Sequence, residues 1–312
     1  MIETQKSLRV PVEIEGIGLH SGSRATVRIL PAPSGSGLVF VRKDLGDVEI
    51  PALCRHLTGS AFATTLARGP VSVATVEHLL SALQGLEIDN ARIELGGPEV
   101  PILDGSALPF VETLQQAGVI DLGVPRRFMT LTRPIVVRQG DRELAALPAN
   151  ALETTYAIDF PHPAIGYQAA TVRLDVPAYV RTIAPARTFC LLRDVEAMKK
   201  AGLALGGSLH NALVVGDHGV LNDSLRFQDE FVRHKILDLI GDLALLGAPL
   251  RAHLIAFKGG HRLHAALVDR ILSTPQAWRY VTSEQLMPAA ELARFARLRG
   301  RLAAHNPVAL SA

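Results

Sequence analysis

The chain has 312 residues, of which 48% are apolar and 20% charged, with a formal net charge of +2. This composition supplies core for one large globular domain or two ordinary ones and excludes a disordered chain. The near-neutral balance argues against a nucleic-acid partner, and two cysteines, Cys54 and Cys190, are too few for a disulfide framework or a thiolate zinc cluster.

Taken in chain order, MIETQKSLRV (1–10) has an acid where a signal peptide carries bases, and no apolar run approaches the roughly 20 residues of a membrane span. A cytoplasmic protein without an integral membrane segment is expected. GIGLHSG (16–22) sets His20 in a glycine-bounded turn, a position suited to the rim of a site. ATVRILPA (25–32) alternates and closes on proline, which predicts a strand. VEHLLSALQGL (76–86) predicts a helix, ARIELGG (91–97) a strand ending in paired glycines, and SALPFVETLQQAG (106–118) another helix. In VIDLGVPRRFMTL (119–131) Gly and Pro break the pattern, which predicts a join.

The same order then returns. ELAALPA (143–149) is a second alternating strand ending in proline, and DFPHP (159–163) holds His162 in a turn. ARTFCLLRD (186–194) precedes VEAMKKAGLALGGSLHNALVV (195–215), which reads as helix, glycine turn and strand. FVRHKILDLIGDL (231–243) is an amphipathic helix. Val232, Ile236, Leu239, Ile240 and Leu243 share one side, while His234, Asp238 and Gly241 share the other. AHLIAFKGG (252–260) and HAALVDRIL (264–272) complete a second strand and helix. Aligned on His78 and His234, the two long helices share Val, His, Leu and Gly. The pattern predicts an internal duplication of a strand–helix–strand–helix unit, with the first domain over 1–124, the second over 125–300 and a C-terminal tail over 301–312. Two similar domains of mixed α+β structure follow, with the cleft between them the expected place for a site.

Duplication puts His78 and His234 at equivalent points, able to meet across that interface. His234 and Asp238 lie one helical turn apart, so the two imidazoles and the carboxylate form an N,N,O set that leaves a fourth position open on zinc. Glu77, beside His78, is a candidate general base, and His261 in KGGH (258–261) is either a general acid or a turn histidine facing water. Asp242 either orients that histidine or faces solvent, and Lys235 either binds an anionic substrate or snorkels from its helix. Thr188 offers a hydroxyl to an oxyanion and Phe189 a platform for a sugar ring, unless the two simply pack a strand. His56, His210, His218, His253, His264 and His305 show no partner spacing and read as surface or core.

The segments GIGLHSG, TVEHLLSALQGLEIDN (75–90), PILDGSALPF (101–110), DFPHPAI (159–165), ARTF (186–189), LGGS (205–208), LRFQDEFVRHKILDLIGDL (225–243) and KGGH occur in this order over nearly the whole chain. In them the sequence resembles the UDP-3-O-acyl-N-acetylglucosamine deacetylase family, zinc amidases of lipid A (lipopolysaccharide) biosynthesis in Gram-negative bacteria. The resemblance implies an α+β two-domain sandwich, each domain a β-α-α-β unit with helices packed between sheets and the active site at the domain interface, and one Zn²⁺ per chain on His78, His234 and Asp238. It implies Glu77 as base, His261 as acid oriented by Asp242, and Thr188 stabilising the oxyanion. Lys235 and Phe189 would hold the sugar and diphosphate end, with Phe160 and His162 near the nucleotide. The acyl chain of the UDP-sugar would run past Leu192, Val195, Ala204, Ser208, Ala212 and Val214. Ala63 stands where relatives often carry a cysteine beside the metal pocket, and LHNA (209–212) stands where an acidic residue is common. A paralogue with another substrate would keep the metal ligands but alter the acyl passage, whereas a binding protein without catalysis would lack the base or the acid. A monomer is expected.

Overall fold

The computed structural model describes residues 2–222 and 224–286. The end of the expected second domain and the expected tail at 301–312 lie outside the described residues.

Two sheets carry the fold, and they are built alike. In the first, strands run in the order Val12–Ile17, Arg24–Pro31, Ala91–Leu95, Leu38–Arg42, Val48–Pro51. In the second the order is Ile135–Gln139, Arg142–Pro148, Leu250–Phe257, Glu153–Phe160, Gly166–Arg173. Across these five strands each sheet is antiparallel except at one parallel pair, Leu38–Arg42 with Ala91–Leu95 and Glu153–Phe160 with Leu250–Phe257. Identical order and sense along the chain is the duplication expected from the repeated sequence pattern. The second sheet is extended to seven strands by Arg127–Leu131 and Trp278–Thr282.

Alternation explains the strands. Ala25, Val27 and Ile29 of Arg24–Pro31, like Leu144 and Ala146 of Arg142–Pro148, turn inward onto helices, while their neighbours face out. The described residues form six α-helices: α1 (Glu77–Gly85), α2 (Leu108–Ala117), α3 (Val176–Thr182), α4 (Leu192–Lys200), α5 (Glu230–Leu243) and α6 (His261–Leu272). Helices α1 and α2 belong to the first unit, α5 and α6 to the second, and α1 packs directly on α5. The layers are therefore sheet, helices, helices, sheet, an α+β sandwich with a shared core.

Residues 119–131, expected as a broken join, instead form two strands. Val119–Pro125 pairs with Thr4–Leu8, and Arg127–Leu131 pairs with Leu250–Phe257 and Trp278–Thr282. Gly and Pro are tolerated because the first strand is one half of a two-stranded ribbon at an edge. In both units a small appended sheet sits between the last sheet strand and the long helix: Leu57–Gly59, Thr65–Arg68 and Val71–Val73 in the first, and Phe189–Leu191, Leu213–Gly216 and Gly219–Val220 in the second.

Helix α5 is amphipathic in sequence yet buried on both faces: Val232, Ile236, Leu239 and Ile240 meet apolar core, while His234, Asp238 and Asp242 are buried polar groups. The crossing of α1 over α5 is close because Gly241 has no side chain. A Cβ there would lie 2.1 Å from the carbonyl oxygen of Glu77. Gly241→Ala is therefore expected to force the two helices apart and destabilise the fold by about 1–3 kcal/mol. A lower thermal midpoint and a lower denaturant midpoint would register it.

Candidate active site

The crossing of α1 and α5 brings side chains distant in sequence to one point. Glu77 and His78 occupy the first turn of α1, and His234 and Asp238 stack one turn apart on α5. His234 Nε2 lies 3.2 Å and His78 Nε2 3.8 Å from Asp238 Oδ1, with the two imidazole centroids 5.1 Å apart. His234 Nδ1 donates to the Ala186 carbonyl at 3.0 Å, which fixes the tautomer and leaves Nε2 with its lone pair toward the cluster. Asp238 Oδ1 is buried and makes no hydrogen bond. An unpartnered carboxylate oxygen between two imidazole nitrogens is a costly arrangement that a cation satisfies, so His78, His234 and Asp238 form a candidate metal-binding group.

Two further groups flank the cage. Glu77 Oε2 accepts the backbone N–H of Thr64 at 2.9 Å. Burial pushes its carboxyl up to about 7, and Asp242 and Asp238 add to the rise against the pull of His261. His261, expected in a glycine turn, is in fact the first residue of α6, and its Nε2 stands 3.8 Å from both Glu77 Oε1 and Asp238 Oδ2. Its Nδ1 hydrogen-bonds to Asp242 Oδ2 at 2.8 Å. Burial alone would lower the His261 imidazole, but Asp242, Asp238 and Glu77 outweigh it and hold the group up at about 10. Asp242 is likewise buried, yet His261 and the hydrogen bonds of His261 and His264 keep it ionised, down to about 2. Burial and the neighbouring His234 press His78 down to about 3, which favours its neutral form.

Thr188 reaches the site immediately before Phe189–Leu191, the first strand of the second unit's appended sheet. Its N–H is bound to the Gly105 carbonyl at 2.8 Å, and the adjacent Arg187 is locked by its main chain and guanidinium onto the fully buried Glu230 of α5. The Lys235 ammonium lies 5.3 Å from the Phe189 ring centroid and 2.8 Å from Asp238 Oδ2. Phe189 in turn packs edge-on against Phe160 and Phe231.

A cavity of about 820 Å³ opens from these groups. Thr188, Phe189, Phe160, Lys235, Leu192, Val195, Ala204, Ser208, Ala212 and Val214 all line it with Glu77, His78, His234, Asp238 and His261. Asp242 lies behind His261 rather than on the wall. His162 is not on the wall either: it sits in the turn after Glu153–Phe160, its Nδ1 accepting the Ala164 N–H at 3.2 Å.

His20, in a glycine-bounded turn suited to a rim, does line the cavity, with a buried Nε2 that has no hydrogen-bond partner. Cys190 lines it too, without any signal in the sequence. Ala63 is buried off the wall, and its neighbour Thr64 joins the two halves of the chemistry, donating its N–H to Glu77 and its hydroxyl to Asp242 Oδ1. His264, read as surface or core without a partner, is fully buried and hydrogen-bonded to Asp242. The available signal was its spacing from His261, since positions three apart share a helix face.

A buried carboxylate and a carboxylate-backed imidazole facing one small volume are groups suited to the acid–base chemistry of a hydrolase. Comparison with known proteins narrows that class. The description UDP-3-O-acyl N-acetylglycosamine deacetylase (LpxC) matches residues 5–273, and the chain belongs to that family. A UDP-3-O-acyl-N-acetylglucosamine deacetylase of Anaeromyxobacter dehalogenans is 47% identical over 91% of this chain and 93% of its own. One from Myxococcus xanthus is 47% identical over 90% of each chain. One from Pseudomonas entomophila is 44% identical over 91% of this chain and 95% of its own. Among the described residues no helix is long and apolar enough to cross a membrane.

Proposed function

We propose that this chain hydrolyses the N-acetyl group of a UDP-3-O-(3-hydroxyacyl)-N-acetylglucosamine, releasing acetate, in the early committed step of lipid A biosynthesis. The observation that carries the reading is the pairing of Glu77 and His261 across the His78, His234 and Asp238 cage at the head of an apolar passage. As part of the same proposal, the cage takes one Zn²⁺, and the chain acts as a monomer in the cytoplasm, where UDP-activated sugars are made. Bound there, the ion would supply Lewis acidity and lower the pKa of water.

The protein groups divide the remaining work. Glu77 takes a proton from the attacking water, its carboxylate held in aim by the Thr64 N–H. Thr188 offers a hydroxyl to the oxygen that gains charge as the carbonyl carbon becomes tetrahedral. The C–N bond then breaks, and His261 gives its Nε2 proton to the departing nitrogen, which leaves as a neutral amine while acetate keeps the new oxygen. Asp242 stabilises the His261 cation through Nδ1. Lys235 and Phe189 take the sugar and diphosphate end, with Phe160 and His162 toward the nucleotide. The acyl chain follows the wall formed by Leu192, Val195, Ala204, Ser208, Ala212 and Val214.

Acetate release from the acylated UDP-sugar, lost with a chelator and restored by Zn²⁺, tests the reaction. A protein that binds Zn²⁺ but ignores this substrate would sink it. The passage has its own test. Ala212 is buried on the wall, so Ala212→Phe is expected to raise KM for a long-chain substrate at least tenfold and leave a short-chain analogue within about twofold, in line with pocket discrimination by apolar volume. Equal changes for the two chain lengths would remove the wall from the acyl path.

A further inference from the structure

Behind the acid lies a second imidazole that the reaction as described does not use. His264 Nδ1 is 2.8 Å from Asp242 Oδ2, the oxygen that also accepts from His261 Nδ1 at 2.8 Å. An ionised carboxylate only accepts, so both Nδ1 atoms carry protons and donate. The other nitrogen of His264, Nε2, lies 2.9 Å from the Tyr156 hydroxyl. With Nδ1 protonated, a neutral His264 presents a lone pair at Nε2, and the tyrosine O–H fills it. Tyr156 and His264 are both fully buried. Thr64 holds the remaining oxygen, Oδ1, from the first unit.

The backbone makes room for this pair. A Cβ on Gly259 would lie 2.3 Å from the Tyr156 hydroxyl oxygen and 3.4 Å from His264 Nε2. The first glycine of KGGH therefore serves the Tyr156–His264 contact, whereas a Cβ at Gly260 would meet nothing. A chain of four groups on three elements, with both oxygens of Asp242, both nitrogens of His264 and the Tyr156 hydroxyl hydrogen-bonded, is the kind of network that holds one geometry.

We propose that the Tyr156–His264 pair positions the catalytic acid: by clamping Asp242 Oδ2 it fixes the carboxylate, and through it the orientation in which His261 Nε2 meets the leaving nitrogen. The inference rests on the reading of His261 as the acid. His264 touches no substrate and acts only through Asp242, so its effect vanishes when Asp242 no longer holds His261.

The test is a double-mutant cycle on the full-length, Zn²⁺-loaded protein, with kcat and KM for acetate release, bound metal and thermal midpoint measured for each variant. His264→Leu is expected to lower kcat about 10- to 100-fold with KM within about twofold, the size of effect seen when partners behind a catalytic group are removed. His264→Asn, which keeps an N–H near the position of Nδ1, is expected to recover most of that loss. In an Asp242→Asn background, His264→Leu is expected to change kcat by less than about twofold. If His264→Leu does not fold, Tyr156→Phe, which removes only a hydroxyl, carries the cycle with a smaller loss, about three- to tenfold. Equal fold-losses in the two backgrounds, or no loss in a folded variant, would overturn the proposal. A His261→Ala protein with wild-type activity would instead remove the underlying assignment of the acid, so the two failures are distinguishable.

Discussion

Glu77→Gln is expected to lower kcat for acetate release by about three orders of magnitude while leaving bound metal at the wild-type level, since a positioned base contributes about 100- to 10,000-fold. The substitution keeps the size and shape of the side chain, and its carbonyl oxygen still accepts the Thr64 N–H that now binds Glu77 Oε2 at 2.9 Å. What disappears is the capacity to take a proton. Glu77 is adjacent to the cage but outside it, because the donor atoms that converge are those of His78, His234 and Asp238. Loss of a ligand should look different: His234→Ala removes metal and activity together. Measuring metal content and turnover on the same preparation separates the cases, and a fully active, metal-loaded Glu77→Gln would falsify the role of the carboxylate.

The second large effect concerns the acid. His261→Ala is expected to lower kcat by about 100- to 10,000-fold, because an amine anion is a very poor leaving group without a proton. The pH profile carries the sign. Activity rises as Glu77 loses its proton and falls as His261 loses its own. Burial pushes Glu77 up to about 7, and the carboxylates facing His261 outweigh its burial to hold it at about 10. For the protein groups alone the rising limb therefore sits near 7 and the falling limb near 10. A divalent cation in the cage favours the deprotonated form of each group, which moves both limbs to lower pH. After burial, Asp242 is the strongest influence on His261 and raises it. Asp242→Asn removes that attraction, so the falling limb moves further down in pH. The same change removes a negative neighbour of Glu77, so the rising limb moves down as well. A kcat/KM profile from pH 5 to 11 would show this, and a falling limb that stayed put or moved up would rule out the Asp242–His261 couple.

The sequence by itself determined the duplicated architecture and the set of polar residues on its two long helices. Alternation in 25–32 and 143–149 and the shared Val, His, Leu and Gly of the helices are local patterns, and such patterns follow from the fixed periods of strand and helix. The pair His234 and Asp238 was visible for the same reason, one turn apart on one face. Spacing along the chain cannot say what lies opposite, however, and there the tertiary structure decided. Gly241 lets α1 lie directly on α5, which sets His78 against Asp238 across a long loop of sequence. The second unit's appended sheet supplies Phe189, Cys190 and Val214 to one wall. Thr64 and Tyr156 carried no pattern because their partners, Asp242 on α5 and His264 on α6, are distant in sequence. The Val119–Pro125 strand read as a break because its partner, Thr4–Leu8, lies at the far end of the unit. Helices and strands report themselves through periodicity within a segment. Hydrogen bonds between segments depend on how the layers are stacked, and only the folded chain contains that information.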